Sequence, residues 1–545
     1  MFLRPAVAVL MLAAASLLPA AVGAAEPTAP VVRSIEIEGA TAFSRAEILR
    51  ALRLKPGAPL RRTPEQIEAL LQDRYELRGL PAARVTARFD PASGALTVAI
   101  DEGRIVAVEI EGLGEDDSAR VREALGLEPG TVLRDAEVAS GLRRLRDLSE
   151  GAFDTVEDPP YEIERSGDGV RVRVKLRKRQ VGLGLVLYNS VTPLPLYSRV
   201  EGWSPALGGE VTLFDHSSFN HLTAYAIGGY GLSSDHGRFA LGARKPVGPH
   251  RLVTLGYEFH DLTDSDDALR LNGLERWPGM MIWFEALDDF YQRRGHEAYA
   301  FARPSPNLHL GVSFRADDFT SLPVTSGDAL KWPNPPVQEG DMRSLLFTAR
   351  WSWDGGLYPD WPFERNSFLV RSLQGDLFQR DQGVRAEATF EVADEDALGG
   401  DFTFHRLVAQ VRGAHALSPR QTLFGRVLLG FGGGSLPSQR RFALGGMGTL
   451  RGRDTKAFAD GDELALVTAE YAFEPVRIWP AIIGFYDGGR VGADGVGSGW
   501  KNDLGVGLAW PPTGRRMGRI DIGFPLNRDP GEPSARVTGY ILLPF

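Results

Sequence analysis

From residue 31 the chain shows two textures, which meet at about residue 180. In the first, apolar positions switch repeatedly between alternation and helical spacing. Val31-Val32-Arg33-Ser34-Ile35-Glu36-Ile37-Glu38-Gly39 alternates, with Ile35 and Ile37 on one face, and predicts a strand. Ser44 is set to cap a helix over residues 44–52, with Glu47 completing a capping box. Beyond the Pro56-Gly57 turn, Ile67, Leu70 and Leu71 fall at helical spacing and predict a helix from Thr63 to about Arg78, with Gly79 near its end. Strands over 83–89 and 95–102 close a β-α-α-β-β unit. The same order then repeats. Ile105-Val106-Ala107-Val108-Glu109-Ile110-Glu111-Gly112 echoes the first strand, helices follow over 118–125 and 135–148, and strands over 161–165 and 170–176. The turns Pro56-Gly57 and Pro129-Gly130 lie 73 residues apart. Residues 31–104 and 105–179 are therefore expected to form two small α+β domains.

In residues 180–545 helical periodicity nearly vanishes. Windows of alternating residues recur near 181, 196, 221, 238, 251, 297, 307, 342, 367, 401, 421, 463, 481, 501, 517 and 534, with an extra window at 385–392. Sixteen strands of about ten residues, with short turns at one end and longer loops at the other, account for this length. The last windows alternate most cleanly. Leu504, Val506, Leu508 and Trp510 oppose Asp503, Gly505, Gly507 and Ala509; Ile520, Ile522 and Phe524 oppose Arg519 and Asp521. Val537, Ile541, Leu543 and Phe545 share a face opposite Arg536, Thr538 and Tyr540. A soluble sandwich would alternate too. The number of windows, the leader described next and the terminal Phe545 favour an all-β transmembrane barrel of sixteen antiparallel strands. All ten tryptophans, Trp203 to Trp510, lie in this half, as interfacial girdles or as ordinary packing.

Composition narrows the classes. Residues 1–25 read as a signal peptide: Arg4, an apolar run from Ala6 to Leu18, then small residues around Ala24-Ala25. No run of 18 apolar residues follows, and the mean hydropathy of −0.15 is what an alternating barrel shows. Zero cysteines remove disulfides, thiolate chemistry and a lipid-modified cysteine, and a net charge of −9 argues against a nucleic-acid partner. No enzyme signature is found: there is no Gly-x-Ser-x-Gly elbow, His-Glu-x-x-His pair or phosphate loop, and the nine histidines lack metal-ligand spacing. No catalytic residue, cofactor or metal is expected. The acids Asp264, Asp266, Asp267, Asp288 and Asp289 read as solvated loop residues, with a calcium site as the alternative. Alternating cations over 171–179 fit either a solvated strand face or contact with anionic head groups.

A long glycine-rich connection carries Phe442-Ala443-Leu444-Gly445-Gly446-Met447-Gly448-Thr449-Leu450-Arg451-Gly452-Arg453. Five strand windows follow it, the first with Glu470-Tyr471-Ala472-Phe473 and the second with Phe485-Tyr486-Asp487-Gly488-Gly489. Parity puts Phe485, Asp487 and Gly489 on one face and Ile482 and Tyr486 on the other; with Tyr486 toward lipid, Asp487 faces the lumen and needs a cation or hydrogen bonds there. On these motifs, over nearly the whole mature chain, the sequence resembles the BamA/TamA and two-partner-secretion superfamily. That resemblance implies periplasmic POTRA domains, each β-α-α-β-β, ahead of a sixteen-stranded outer-membrane barrel. It also implies a loop tucked into the lumen, with Gly448, Leu450, Arg451 and Gly452 at its tip, and Arg451 meeting Asp487, or alternatively Glu470, beside the strand motif of Phe485 and Gly489. Arg453 stands where the family has an aromatic. Ile541, Leu543 and Phe545 resemble the carboxyl-terminal signal for outer-membrane assembly.

The function implied is assembly and insertion of other outer-membrane proteins. The POTRA-like domains would capture unfolded clients by strand addition, and the barrel would offer a weakly closed seam between its first and last strands. The partners implied are outer-membrane lipid, unfolded outer-membrane or secreted clients, and an accessory protein on the periplasmic or inner-membrane side. The alternative is a pore exporting one dedicated protein, against which counts the short stretch between the expected cleavage point and Val31. A passive porin or adhesin leaves the repeated units unexplained.

Overall fold

In the computed structural model, residues 30–149, 151–156, 159–167, 169–186, 197–248, 252–269, 288–305, 307–325, 333–353, 383–475, 479–493, 496–497, 499–510 and 518–541 are described. The expected leader, the window at 367, Leu543 and Phe545 lie outside them. The chain divides into two compact units, Met1–Asp147 with Thr155–Arg177, and Leu148–Asp154 with Lys178–Phe545.

The first unit begins with β1 (Ser34–Glu38), α1 (Arg45–Leu52), α2 (Pro64–Leu77), β2 (Arg84–Asp90) and β3 (Ala95–Asp101). Both helices start on capping boxes, Ser44 with Glu47 and Thr63 with Gln66, which satisfy amides the helix itself leaves unpaired. The sheet order is β1-β3-β2, with β1 parallel and β2 antiparallel to β3. Alternation sends Ile35, Val85, Leu96, Val98 and Ile100 inward onto Ile48, Leu52, Ile67, Leu71 and Tyr75. Each such burial contributes roughly 1.5–3 kcal/mol. Glu102 ends this unit buried, accepting the N–H groups of Thr41 and Ala42 and the hydroxyls of Thr41 and Tyr75.

The order recurs in β4 (Ile105–Glu111), α3 (Glu115–Leu125), α4 (Asp135–Ser149), β5 (Phe153–Thr155), β6 (Glu162–Ser166) and β7 (Gly169–Lys178). The short β5 is an addition to the sequence reading, and α3 starts three residues earlier than expected, behind Gly114. The alternating cations of β7 are answered by acids on its neighbours. Arg171 meets Glu109 at 3.0 Å, Arg173 meets Glu111 at 2.8 Å and Glu164 at 3.0 Å, and Lys175 meets Glu162 at 3.0 Å. These cross-strand pairs lie on a solvated strand face, with the acids 42–51% exposed.

The second unit is an antiparallel barrel. Its strands are β8 (Val181–Val186), β9 (Ala206–Leu213), β10 (Leu222–Gly231), β11 (His236–Val247), β12 (Val253–Asp264), β13 (Tyr291–Ser305), β14 (Leu308–Ser321) and β15 (Gly340–Ser352). They continue as β16 (Gly383–Ala393), β17 (Phe404–Ser418), β18 (Gln421–Gly434), β19 (Glu463–Phe473), β20 (Ala481–Ala493), β21 (Lys501–Trp510), β22 (Gly518–Pro525) and β23 (Arg536–Ile541). Successive strands pair, and the order returns to place β23 beside β8. Two expectations shift within the count of sixteen. The window at 385–392 is the full strand β16, registered with both neighbours, and the window near 196 resolves into a short hairpin at 197–203 followed by β9. Lipid-facing and lumenal residues separate as the alternation predicts: Leu504, Val506, Ile520, Ile522, Phe524 and Val537 are exposed, whereas Asp503, Arg519, Asp521 and Thr538 are buried. No helix among the described residues is long and apolar enough to cross a membrane.

Candidate functional site

The connection from β18 to β19 folds back into the lumen instead of extending away. Residues Phe442–Leu444 and Phe458–Gly461 form a small hairpin within it, and Phe442, Leu444 and Leu450 pack on Val408, Leu428, Leu464, Leu466 and Val491 of the wall. The apolar contacts bring the loop in; its tip makes the polar ones. There Gly446 and Gly448 hold positive φ of 84° and 80°, where a side chain would be strained. The tight turn that results has the Gly446 N–H donating to Leu450 O at 3.0 Å, and Arg426 of β18 donating to Gly448 O at 2.9 Å.

This turn aims Arg451 at the wall. Its Nε and Nη2 donate to the two carboxylate oxygens of Asp487 at 2.7 and 2.8 Å, a bidentate fork. Nη1 reaches Glu470 at 2.5 Å and Asp521 at 3.0 Å, while the guanidinium carbon sits 3.6 Å above the Phe485 ring. Arg519 completes the group, donating to both oxygens of Glu470 at 2.9 and 3.0 Å and to Asp521 at 2.7 Å. Every member is buried. Charges withdrawn from water are tolerated only where partners replace the solvent, and this network supplies them from β19, β20, β22 and the loop together.

The wall is shaped to admit the loop. A Cβ on Gly489 would lie 2.9 Å from Leu444 Cδ1, and one on Gly523 would lie 2.6 Å from the Gly452 amide nitrogen. The Gly452 N–H donates to Asp503 at 2.9 Å. Next to it Arg453, where the resemblance expects an aromatic, is fully buried and ion-paired: Nε to Asp503 at 3.0 Å and Nη1 to Glu532 at 2.5 Å.

Of the residues read from sequence, Gly448, Leu450, Arg451, Gly452, Asp487, Glu470, Phe485 and Gly489 thus meet at one place. Both acids proposed as alternatives for Arg451 bind it at once. Ile541 ends β23, and its side chain, like Leu543 and Phe545, lies outside the described residues. Sequence reasoning missed Arg426, Arg453, Asp503, Arg519 and Asp521. Strand parity had put the last three on the lumenal face, but nothing in the linear pattern says which charges meet.

Farther along the loop, Lys456 Nζ donates to Asp267 at 2.6 Å and to Asp289, and Arg440 reaches Asp266 at 2.9 Å and Glu391 at 2.9 Å. Arg199 adds a bond to Asp289 at 2.7 Å. Asp266, Asp267 and Asp289 are thus paired with cations and not free loop acids; no cluster that could hold a metal ion occurs among the described residues.

Comparison with known proteins points one way. The POTRA family model, described as surface antigen variable number repeat, matches residues 30–103, and the Omp85 superfamily domain matches residues 166–538. The outer membrane protein assembly factor BamA of Nitratidesulfovibrio vulgaris is 29% identical over 171 residues, covering 27% of this chain and 21% of that protein. The match thus spans about a fifth of that relative's length. Among solved structures, BamA from Haemophilus ducreyi lacking POTRA domains 1-3 aligns with a TM-score of 0.50 at 15% identity, covering 94% of this chain and 99% of that one. CdiB from Escherichia coli aligns with a TM-score of 0.39 at 16% identity, over 96% and 92% of the two chains.

Proposed function

The chain belongs to the Omp85 superfamily, and from that premise we propose that it assembles and inserts other proteins into the outer membrane. The barrel resides in that membrane and the POTRA domain in the periplasm. Residues 105–179 repeat the element order of residues 31–104 and are read as a second POTRA domain.

The observation that carries the reading is the state of the first strand. Leu183 and Leu185 of β8 are 78% and 70% exposed, against 37–54% for the lipid-facing side chains of β21 and β22 between Leu504 and Phe524. A thinly covered junction is the least costly place to part a barrel. Once parted, its unpaired amides and carbonyls would template an incoming strand, because lipid offers them no substitute.

Capture would begin in the periplasm. β2 lies at the edge of its sheet, and main-chain pairing there needs no particular client sequence. The Ala87 N–H on β2 is held at 2.7 Å by Glu68 of α2, so an added strand would displace that side chain. The tucked loop keeps the barrel shut at rest and holds the wall strands in register, with Arg451 and Asp487 as its central pair. That filled lumen weighs against the export pore. Ile541, Leu543 and Phe545 are proposed as the signal by which the chain itself is assembled. No covalent step enters this reading.

Depletion followed by quantitative proteomics of the outer membrane tests it. Falling levels across many barrel proteins are expected; loss of a single secreted protein, with the others untouched, would instead establish dedicated export.

A further inference from the structure

Beyond its contact with Asp487, the loop tip makes a second set of contacts that leads to the last strand. Arg453 reaches in two directions. Its Nε holds Asp503 on the wall strand β21, while Nη1 and Nη2 hold Glu532 and Asn527 in the connection between β22 and β23. Glu532 also accepts the Asp529 N–H at 2.8 Å, which closes that connection on itself. From the other side Arg536, the first residue of β23, donates to Arg453 O at 2.6 Å and to Asp454 Oδ1 at 2.9 Å. The loop tip and the last strand thus grip each other through two arginines. Arg451, by contrast, pairs with Asp487, Glu470 and Asp521.

We propose that Arg453 and Arg536 latch the last barrel strand to the tucked loop, so that β23 leaves its place beside β8 only when this grip is released. The inference deepens the insertion reading and rests on it for its purpose, though not for its geometry. The described ladder between β23 and β22 begins at Arg536, so the grip acts where the strand's main-chain pairing starts. The latch supplies charge-assisted bonds from inside the lumen, at the strand's own first residue, away from lipid. Arg453 and Arg536 are positioning residues in this scheme: they touch no client. A client strand that pairs at the seam would work against the latch, and undocking of the tip would remove it.

Hydrogen exchange on the full-length protein in lipid nanodiscs tests the latch. In Arg453→Ala and Arg536→Ala, amides of residues 536–541 are expected to exchange about tenfold faster or more, the scale on which local openings differ. Residues 463–473 and 481–493 should keep their protection, because Arg451 still holds them. Arg453→Ala orphans a buried carboxylate and could fail to fold; Asp454→Ala, at an exposed side chain, removes the charged half of Arg536's hold without that cost and should speed exchange at 536–541 to a smaller degree. Because Arg453 and Asp454 lie outside β23, an effect there cannot come from the strand's own altered sequence. Arg536→Lys, which keeps a charged donor, should restore part of the protection. Unchanged exchange at 536–541 in all the alanine variants, or equal loosening at 463–473, overturns the proposal. Measuring client insertion on the same samples separates the two readings. Faster exchange with no client inserted by the native protein leaves the latch and removes the insertase, while unchanged exchange with normal insertion does the reverse.

Discussion

Arg451 joins acids from three wall strands at one point, and its chemistry explains why no other side chain serves. A planar fork satisfies both oxygens of Asp487 while a third nitrogen remains for Glu470 and Asp521. Arg451→Ala leaves these carboxylates buried and underpaired, which costs on the order of 3–5 kcal/mol. The expected outcome is a lower unfolding temperature and loss of heat-modifiable migration on gels. Arg451→Lys, lacking the fork, should recover less than half of the loss. A second residue-scale expectation concerns Glu102 in the first domain. Burial would raise its pKa, but the Ala42 amide, the Thr41 hydroxyl and amide and the Tyr75 hydroxyl outweigh that and hold it below its ordinary 4.5. The folded state therefore favours the carboxylate. Its contribution is present above pH 4.5 and is lost as pH falls through the lowered folded value. Urea unfolding of the native protein should weaken below pH 4.5 more steeply than that of Glu102→Gln, which has no carboxylate to protonate there.

At the scale of elements, loop and wall are fitted by what the wall lacks. Gly523 on β22 leaves room for the Gly452 backbone, and the nearest atom to an added Cβ is a main-chain nitrogen, which cannot swing aside. Gly523→Ala should thus displace the tip without altering one charge. Trypsin added to intact proteoliposomes would then cut after Arg451 or Arg453, bonds expected to resist in the native protein; equal resistance would show that the tip is held otherwise. The elements were legible to different degrees. The helices over Arg45–Leu52 and Pro64–Leu77 and the strands β20 to β23 could be read because caps and parity are local signals. β13 begins at Tyr291, well before the window at 297, because its first residues alternate Tyr291, Arg293 and Gly295 inward, and a lumenal arginine does not look like a strand face. The Arg385 window was underrated for the same reason: Glu387 and Glu391 point into the lumen.

For the whole molecule, the seam is the functional expectation. A disulfide engineered between Val181–Val186 and Arg536–Ile541 should abolish client insertion while leaving the barrel folded, with reduction restoring activity. Full activity of the oxidised protein would rule out passage through that junction. Removing residues 31–104 should leave the barrel its heat-modifiable migration but lower client capture, since the edge strand β2 goes with them.

The amino-acid sequence by itself determined the two repeated α+β units, the barrel, and the inward and outward faces of its last strands, Asp487 among them. Each follows from period, capping or parity, which act over a few residues, whereas the loop tip and its pairing through Arg451 were legible only through the family resemblance. Tertiary structure alone decided that Glu470 and Asp521 share Arg451, that Arg453 replaces an aromatic contact with an ion pair to Asp503, and that Lys456 occupies the acids at 267 and 289. Those partners are 19 to 189 positions apart in the chain, and a buried charge selects whichever opposite charge the closed wall brings within reach, a choice that no local pattern encodes.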